Sequence, residues 1–152
     1  MAVGVTTVFE EPRMNLRGQA PAAYQAMVAF DNAIELDAAL GELVKVRASI
    51  LNGCAFCIDM HTRDARAAGE TEQRLYAVAA WREAPFFSER ERAALALTDA
   101  VTLITEGHVP REVYDAAAEY FDEPELAQLI WRITAINAWN RVAVATRMLP
   151  GG

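Results

Sequence analysis

The sequence predicts an all-α protein with about seven helices in a single domain, residues 1–152. The strong helix formers Ala, Leu, Glu and Arg are abundant, whereas alternating runs of β-branched residues are almost absent. The chain is 53% hydrophobic and 23% charged, which is enough to bury a sizeable core. No linker rich in Gly, Ser or Pro divides the chain, so we expect one domain of ordinary size.

The first elements are defined by their end signals. A short β-like stretch at 3–9 is expected to form an arm that packs on a neighbouring subunit. Residues 21–32 form the first predicted helix, since a proline is favoured at an early helical position. The second runs from Asp37, a good N-cap, to about residue 52, where Gly53 ends it.

The middle of the chain predicts two shorter helices. One starts at about Cys54 and ends near Gly69, and the next covers residues 71–82. Pro85 then interrupts the helical pattern.

Three further helices are predicted in the second half. The residues Ser88 to Glu91 read as a capping box that opens a helix to about residue 106, which Gly107 ends. The next helix covers 110–121, and the last covers 122–148, before a frayed Pro-Gly-Gly tail.

Composition argues against several classes of function. A net charge of -7 and a pI of about 4.8 disfavour binding to nucleic acid or to anionic membranes. No apolar stretch approaches the roughly 20 residues that span a bilayer. The first fifteen residues lack the basic start and apolar block of a secretory signal, so we expect a cytoplasmic protein.

The two cysteines are the most informative residues. Only two residues separate Cys54 from Cys57, and in the cytosol such a pair is more often redox-active or metal-binding than structural. On a helix Cys54, Cys57 and His61 share one face, and an i, i+3 pair can form a disulfide. The pair sits at a predicted helix start, where the macrodipole favours a thiolate.

The neighbouring residues suggest how a thiol proton is removed. His61 lies one turn after Cys57 and can accept that proton. If the two helices pack as an antiparallel hairpin, Glu42 comes back beside His61 and orients the imidazole or receives its proton.

Two alternatives remain open at this stage. The cysteines could be buried core thiols. They could also bind zinc together with His61, with water or Glu42 as the fourth ligand. Since the chain has no second Cys or His cluster, we predict neither a metal nor a cofactor.

These residues stand in a recognisable motif. Glu42, the Cys54–Cys57 pair, His61 and the run Asn-Gly-Cys-Ala-Phe-Cys-Ile-Asp-Met-His resemble the AhpD-like alkylhydroperoxidase branch of the carboxymuconolactone decarboxylase family. The resemblance extends to Gly69 and to stretches at 91–95 and 137–141.

The resemblance implies an AhpD-like helical bundle that forms homo-oligomers, trimers or hexamers, and that reduces organic hydroperoxides. Cys57 would attack the peroxide, Cys54 would resolve the product, and His61 would pass the proton through water towards Glu42. A dithiol would then reopen the disulfide. Phe56 stands where the best-studied family enzymes carry a second histidine. A non-catalytic oligomeric module that senses redox state or binds a ligand is therefore kept as an alternative. The family name alone adds a lactone decarboxylase as a further one.

The remaining polar residues are assigned ordinary roles. Lys45, Arg47 and Arg63 are predicted to be solvated charges. The polar residues at 137, 140 and 141, in an otherwise apolar helix, are predicted to form a buried cluster or a subunit contact.

Overall fold

The computed structural model describes residues 11–151, and these contain helices and connecting turns but no strand. The all-α prediction is therefore confirmed for this part of the chain. The helices are α1 Leu16–Gln19, α2 Pro21–Asn32, α3 Ala38–Asn52, α4 Ala55–Ala67, α5 Glu72–Ala77 with the 3₁₀ turn Val78–Ala80, α6 Glu89–Thr102, α7 Arg111–Tyr120 and α8 Glu123–Thr146. No helix in these described residues is long and apolar enough to cross a membrane.

The helix ends follow from local hydrogen bonding. The Asp37 side chain accepts from the Leu40 N–H and opens α3, as predicted. Capping boxes open α6, from Ser88 to Glu91, and α8, from Asp122 to Glu125. These caps satisfy backbone donors that have no partner inside the helix.

Helix α3 lies at the centre of the fold and packs against α4, α6 and α8. One side of α3 carries Leu40 and Val44, which pack with the apolar faces of α6, α7 and α8. Another side carries Leu43 and Val46, which pack with Leu75, Trp81 and other residues of the α4–α6 region. A central helix of this kind is enclosed by neighbours on most of its sides, so its charged residues also lie near packed elements.

The predicted helix 71–82 is wrong in its second half. The α-helix ends at Ala77, and the 3₁₀ turn Val78–Ala80 replaces the rest. The Arg47 side chain explains the change, since its Nη1 donates to the carbonyls of Val78 and Ala79 at 3.3 and 3.1 Å. These carbonyls are satisfied by a side chain from α3 rather than by a longer helix.

Other boundaries also differ from the sequence prediction. Helix α6 ends at Thr102 rather than near 106, because Leu103 leaves the helical region with ψ 46°. Helix α8 ends at Thr146, where Arg147 adopts a left-handed cap with φ 52°. The short helix α1 was not predicted, and the predicted arm at 3–9 lies outside the described residues.

Candidate active site

The cysteine pair lies where α3 turns into α4. Gly53 has φ 65° and ends α3 in the left-handed conformation that glycine adopts at low cost. Cys54 follows as the N-cap of α4, and its Sγ accepts from the Cys57 N–H at 3.3 Å. The two sulfurs are bonded to each other, with the Cα atoms 5.3 Å apart. The disulfide that the i, i+3 spacing allows is therefore present, although Cys54 lies just outside the helix rather than on its face.

His61 lies two turns along α4 and contacts Glu42 directly. The His61 Nδ1 and the Glu42 Oε2 are 3.1 Å apart. An ionised carboxylate only accepts hydrogen bonds, so Nδ1 carries the proton and donates. In the neutral imidazole the other nitrogen, Nε2, is then the basic one. The contact is direct, whereas the family resemblance implied a water between the two groups.

Glu42 has a second partner on its own helix. The Lys45 Nζ lies 2.9 Å from the Glu42 Oε1, so each carboxylate oxygen has its own donor. Burial raises the pKa of Glu42, but hydrogen bonds from His61 and Lys45 and their charges outweigh it and hold that pKa below its usual value. The carboxylate therefore stays ionised over the neutral range.

A cavity of about 480 Å³ opens beside the disulfide, and both Cys57 and His61 line it. Most of its wall is apolar and comes from α2, α4 and α8, including Val28, Phe56, Met60, Ile136 and Trp139. The segment before α2 closes another side with Met14 and Leu16. Only 2% of the Cys57 surface is exposed, so an organic molecule would reach this sulfur through the cavity.

A group of potential metal ligands overlaps this site. Glu42, His61 and Asp64 offer ligand atoms within 4.8 Å of one another. The Lys45 ammonium is bound to the same carboxylate and would repel a divalent cation, so we assign no metal there. The zinc site considered from the sequence needs two free thiolates, which the oxidised pair seen here does not offer.

Two cations of α3 are not the solvated charges that the sequence predicts. Arg47 is buried and binds both oxygens of Asp99, at 2.7 and 3.1 Å, and is not a solvated charge. Lys45 binds Glu42 and lines the cavity, with a side chain only 17% exposed. One signal was available, since Lys45 is the only lysine among the 14 basic residues of the sequence.

The polar cluster predicted on α8 is present in part: Asn140 is buried and Asn137 half-buried, whereas Arg141 is exposed. The Asn52 Nδ2 donates to the side-chain oxygens of Asn137 and Asn140, at 3.0 and 2.9 Å. The Asn140 Nδ2 in turn donates to the Ser49 Oγ. This network joins α8 to the end of α3, immediately before the cysteine pair, and so helps to fix the turn that carries Cys54.

Comparison with known proteins places the chain in a family. The profile of the carboxymuconolactone decarboxylase family matches residues 21–100. The chain is 52% identical to YdfG of Bacillus subtilis (strain 168) over 104 residues, which is 68% of this chain and 71% of YdfG. It is 32% identical to YnjA of Escherichia coli (strain K12) over 94 residues, which cover 62% of this chain and 51% of YnjA.

Solved structures agree with the sequence comparisons. A protein of unknown function from Agrobacterium tumefaciens, described as a candidate AhpD antioxidant defence protein, superposes with a TM-score of 0.91 at 38% identity, covering 93% of this chain and 99% of that one. The AhpD-core protein from Ralstonia eutropha JMP134 superposes with a TM-score of 0.78 at 21% identity, covering 89% of this chain and 74% of that one. The latter match supports the fold alone. The protein belongs to the carboxymuconolactone decarboxylase family, in its AhpD-like branch.

Proposed function

We propose that the protein is a thiol-dependent peroxidase and disulfide oxidoreductase that reduces organic hydroperoxides through Cys54 and Cys57. One observation carries the proposal. The Cys57–Cys54 disulfide borders an apolar cavity, and His61 lines the same cavity while its ring is held by Glu42. The AhpD-like relatives, one of them described as a candidate antioxidant defence protein, support a redox activity.

The cycle starts from the reduced protein. The Cys57 thiol gives its proton to the His61 ring, and the thiolate attacks the terminal oxygen of the hydroperoxide. The O–O bond breaks, Cys57 becomes a sulfenic acid, and the leaving alkoxide takes the proton from His61. Cys57 sulfur is oxidised by two electrons, and the peroxide is reduced to an alcohol.

Resolution and recycling complete the balance. The Cys54 thiol attacks the sulfenic sulfur, which forms the disulfide and releases one water. A dithiol reductant then opens the disulfide by exchange and leaves as its own disulfide. The sum is one hydroperoxide and one dithiol converted into an alcohol, water and a disulfide.

The surroundings of the sulfur favour an organic peroxide as the substrate. The cavity wall is mostly apolar and includes Phe56 and Met60 of α4 and Trp139 of α8. An apolar wall gains free energy by covering the organic group of a hydroperoxide, a gain that hydrogen peroxide does not offer. We therefore expect organic hydroperoxides to react faster than hydrogen peroxide.

The proposal includes a cytoplasmic homo-oligomer, a trimer or a hexamer. Helix α8 exposes large apolar side chains, among them Trp131 with 53% and Val144 with 50% of the surface accessible. Exposed residues of this kind favour a contact with another subunit. Sedimentation at micromolar concentration tests this part, and a monomer would contradict it.

Single-turnover thiol counting tests the chemistry. Reduced protein is mixed with substoichiometric cumene hydroperoxide, and free thiols are titrated after quenching. We expect the wild type to lose two thiols per peroxide and Cys57→Ser to lose almost none. Cys54→Ser should retain a sulfenic acid on Cys57, which dimedone traps and mass spectrometry locates.

Two outcomes would count against this function. Equal thiol loss in the wild type and in Cys57→Ser would remove the role given to Cys57. A wild-type rate no faster than that of free cysteine would favour the alternative of a redox-sensing or ligand-binding module, which the apolar cavity also suits.

A further inference from the structure

We infer that Lys45 is a positioning residue of this site: its ammonium holds one oxygen of Glu42, so that the other stays directed at His61. The inference rests on the proposed function for its consequence, but its geometry is independent of that function. The Lys45 Nζ is 2.9 Å from Oε1, and the His61 Nδ1 is 3.1 Å from Oε2. All three side chains are at most 17% exposed.

A lysine suits this task better than an arginine. An ammonium is a compact charge that binds one oxygen at a time, whereas a planar guanidinium fork tends to cover both oxygens of a carboxylate. Two residues later, the same helix carries an arginine that binds a carboxylate through both oxygens. Arg47 binds Oδ1 of Asp99 through Nε and Oδ2 through Nη2, and so uses both oxygens.

Composition points in the same direction. The sequence contains 14 basic residues, and Lys45 is the single lysine among them. It is also one of the residues that line the cavity beside Cys57 and His61. All the other basic residues are arginines. The single lysine therefore lies at the position where a guanidinium would compete with His61 for the Glu42 oxygens.

The charge of Lys45 has a second effect. Burial alone raises the pKa of Glu42, and the ammonium together with His61 reverses that effect. Other charged groups also contribute to the local field: Asp64 on α4, 3.9 Å from the His61 Nδ1, and Arg17 and Asp31 on the cavity wall. An ionised Glu42 keeps the proton of His61 on Nδ1 and leaves Nε2 free as a base.

The consequence for the reaction is one proton transfer. The Cys57 S–H bond breaks and the His61 Nε2–H bond forms, with no change of oxidation state. The resulting imidazolium donates from Nδ1 to a carboxylate that is already ionised and already oriented. Without Lys45 the Glu42 carboxylate is free to rotate or to take up a proton itself. The proton of His61 is then not held on Nδ1, and Nε2 is not available as a base for part of the time.

Two substitutions separate charge from geometry. Lys45→Met removes both, and Lys45→Arg keeps the charge but supplies a fork. Arg63→Met serves as the matched control, because it removes one positive charge from an exposed ion pair with Asp59 on α4. Circular dichroism of the oxidised proteins establishes that each variant is folded.

The first readout is the titration of the Glu42 side-chain carboxyl, followed by ¹³C NMR in the oxidised protein. We expect Lys45→Met to raise the proton affinity of Glu42 about tenfold or more, as for the loss of an adjacent opposite charge. Lys45→Arg and Arg63→Met should stay within about threefold of the wild type. If Glu42 titrates in Lys45→Met as it does in the wild type, the inference is overturned.

The second readout is the tautomer of His61, given by the ¹⁵N shifts of its ring, together with the rate of Cys57 oxidation by cumene hydroperoxide. We expect Lys45→Arg to lose the Nδ1–H tautomer and to react about tenfold more slowly, although Glu42 keeps its low proton affinity. Wild-type shifts and rate in Lys45→Arg would refute the need for a lysine.

A third measurement needs no substitution. In protein labelled with [ε-¹³C]lysine, Lys45 gives a single signal, which should change with pH as Glu42 titrates. A signal with no inflection there overturns the inference. If the titrations behave as expected but the wild type does not react with peroxide, the proposed function fails while the positioning of Glu42 stands.

Discussion

Two carboxylates, the half-buried Glu42 and the buried Asp99, are both bound by cations from α3 but differ in how their oxygens are used. The Asp99 carboxylate accepts hydrogen bonds from Nε and Nη2 of Arg47. It also accepts from Arg82 Nη1 at 2.6 Å and from Trp81 Nε1 at 3.2 Å. Glu42 receives one ammonium and one imidazole. Asp99 thus accepts from nitrogens that act only as hydrogen-bond donors, whereas Glu42 contacts an imidazole, whose nitrogens can donate or accept a proton.

The two clusters also differ in what lies next to them. Lys45 and His61 line the cavity beside Cys57, while Arg47, Trp81 and Asp99 are not among its lining residues. Residues two apart on a helix point to nearly opposite sides, so α3 carries Lys45 towards the site and Arg47 towards α6. Burial of a charge therefore does not by itself indicate function; contact with an imidazole that lines the cavity beside Cys57 does.

The largest expected effect concerns His61, the imidazole partner of Glu42. His61→Gln should slow the oxidation of Cys57 by cumene hydroperoxide by roughly 10²–10⁴-fold, which is the usual contribution of a general base. Stopped-flow measurement of thiol loss in the reduced protein checks this. His108→Asn is the matched control, since the other histidine lies in a turn with φ 57°, a conformation that asparagine tolerates.

Two outcomes would contradict the prediction for His61→Gln. A wild-type rate in His61→Gln, or an equal loss of rate in His108→Asn, would show that the Glu42 cluster does not take part in the proton transfer.

The next effect concerns stability at the Asp99 cluster. Asp99→Ala should lower the free energy of unfolding by about 3–5 kcal/mol, because it leaves the Arg47 guanidinium buried without its counter-ion. Urea unfolding of the oxidised protein measures this value. Asp99→Asn, which keeps a hydrogen-bond acceptor, provides a milder variant if the alanine form does not fold.

Glu42→Ala is the counterpart for this comparison. It should cost clearly less, because Lys45 is partly exposed and His61 has a neutral form. Equal losses at the two positions would contradict the distinction between them.

A smaller effect is the pH dependence of stability at Glu42. Its pKa is lowered in the folded protein, so its contribution is complete above about pH 4.5 and is lost as the pH falls through the folded value. We expect wild type and Glu42→Gln to differ by about 1–3 kcal/mol near neutral pH and to converge at lower pH. Urea unfolding between pH 3 and 7 provides the measurement, and a constant difference would contradict it.

The smallest effect concerns the exposed donor to Asp99. The Arg82 side chain is 60% exposed, and the Arg47 fork already binds both carboxylate oxygens. Arg82→Ala should therefore cost no more than about 1 kcal/mol in urea unfolding. A loss as large as that of Asp99→Ala would mean that Arg82, and not Arg47, holds this carboxylate.

Much of the fold was predictable because its signals are local. The caps at Asp37, Ser88 and Asp122 and the stop at Gly53 act within a few residues, and the structure has helix ends at each of them. The helix that fails at Val78 was not predictable in this way. Its carbonyls are bound by Arg47, 31 residues earlier in the chain.

In the candidate site too, some features follow from local sequence and others from the packing of helices. The spacing of Cys57 and His61 determines that they share a face of α4, because helical geometry depends only on sequence separation. Cys54 lies just before the helix, as its N-cap, and is bonded to Cys57. Glu42 was identified through the motif, and the antiparallel packing of α3 and α4 brings it to 3.1 Å from His61. The sequence predicts a solvated Lys45, because the burial of this side chain depends on α4 and on the walls of the cavity.

The sequence by itself thus determined the helical class, most helix starts and the alignment of Cys57 with His61, all of which arise from interactions over a few residues. Only the tertiary structure decided which oxygen of Glu42 binds which partner, that Arg47 is buried against Asp99, and that an apolar cavity borders Cys57. These features depend on contacts between elements far apart in the chain, and the free energy of burying a charge is fixed by those contacts rather than by residue type.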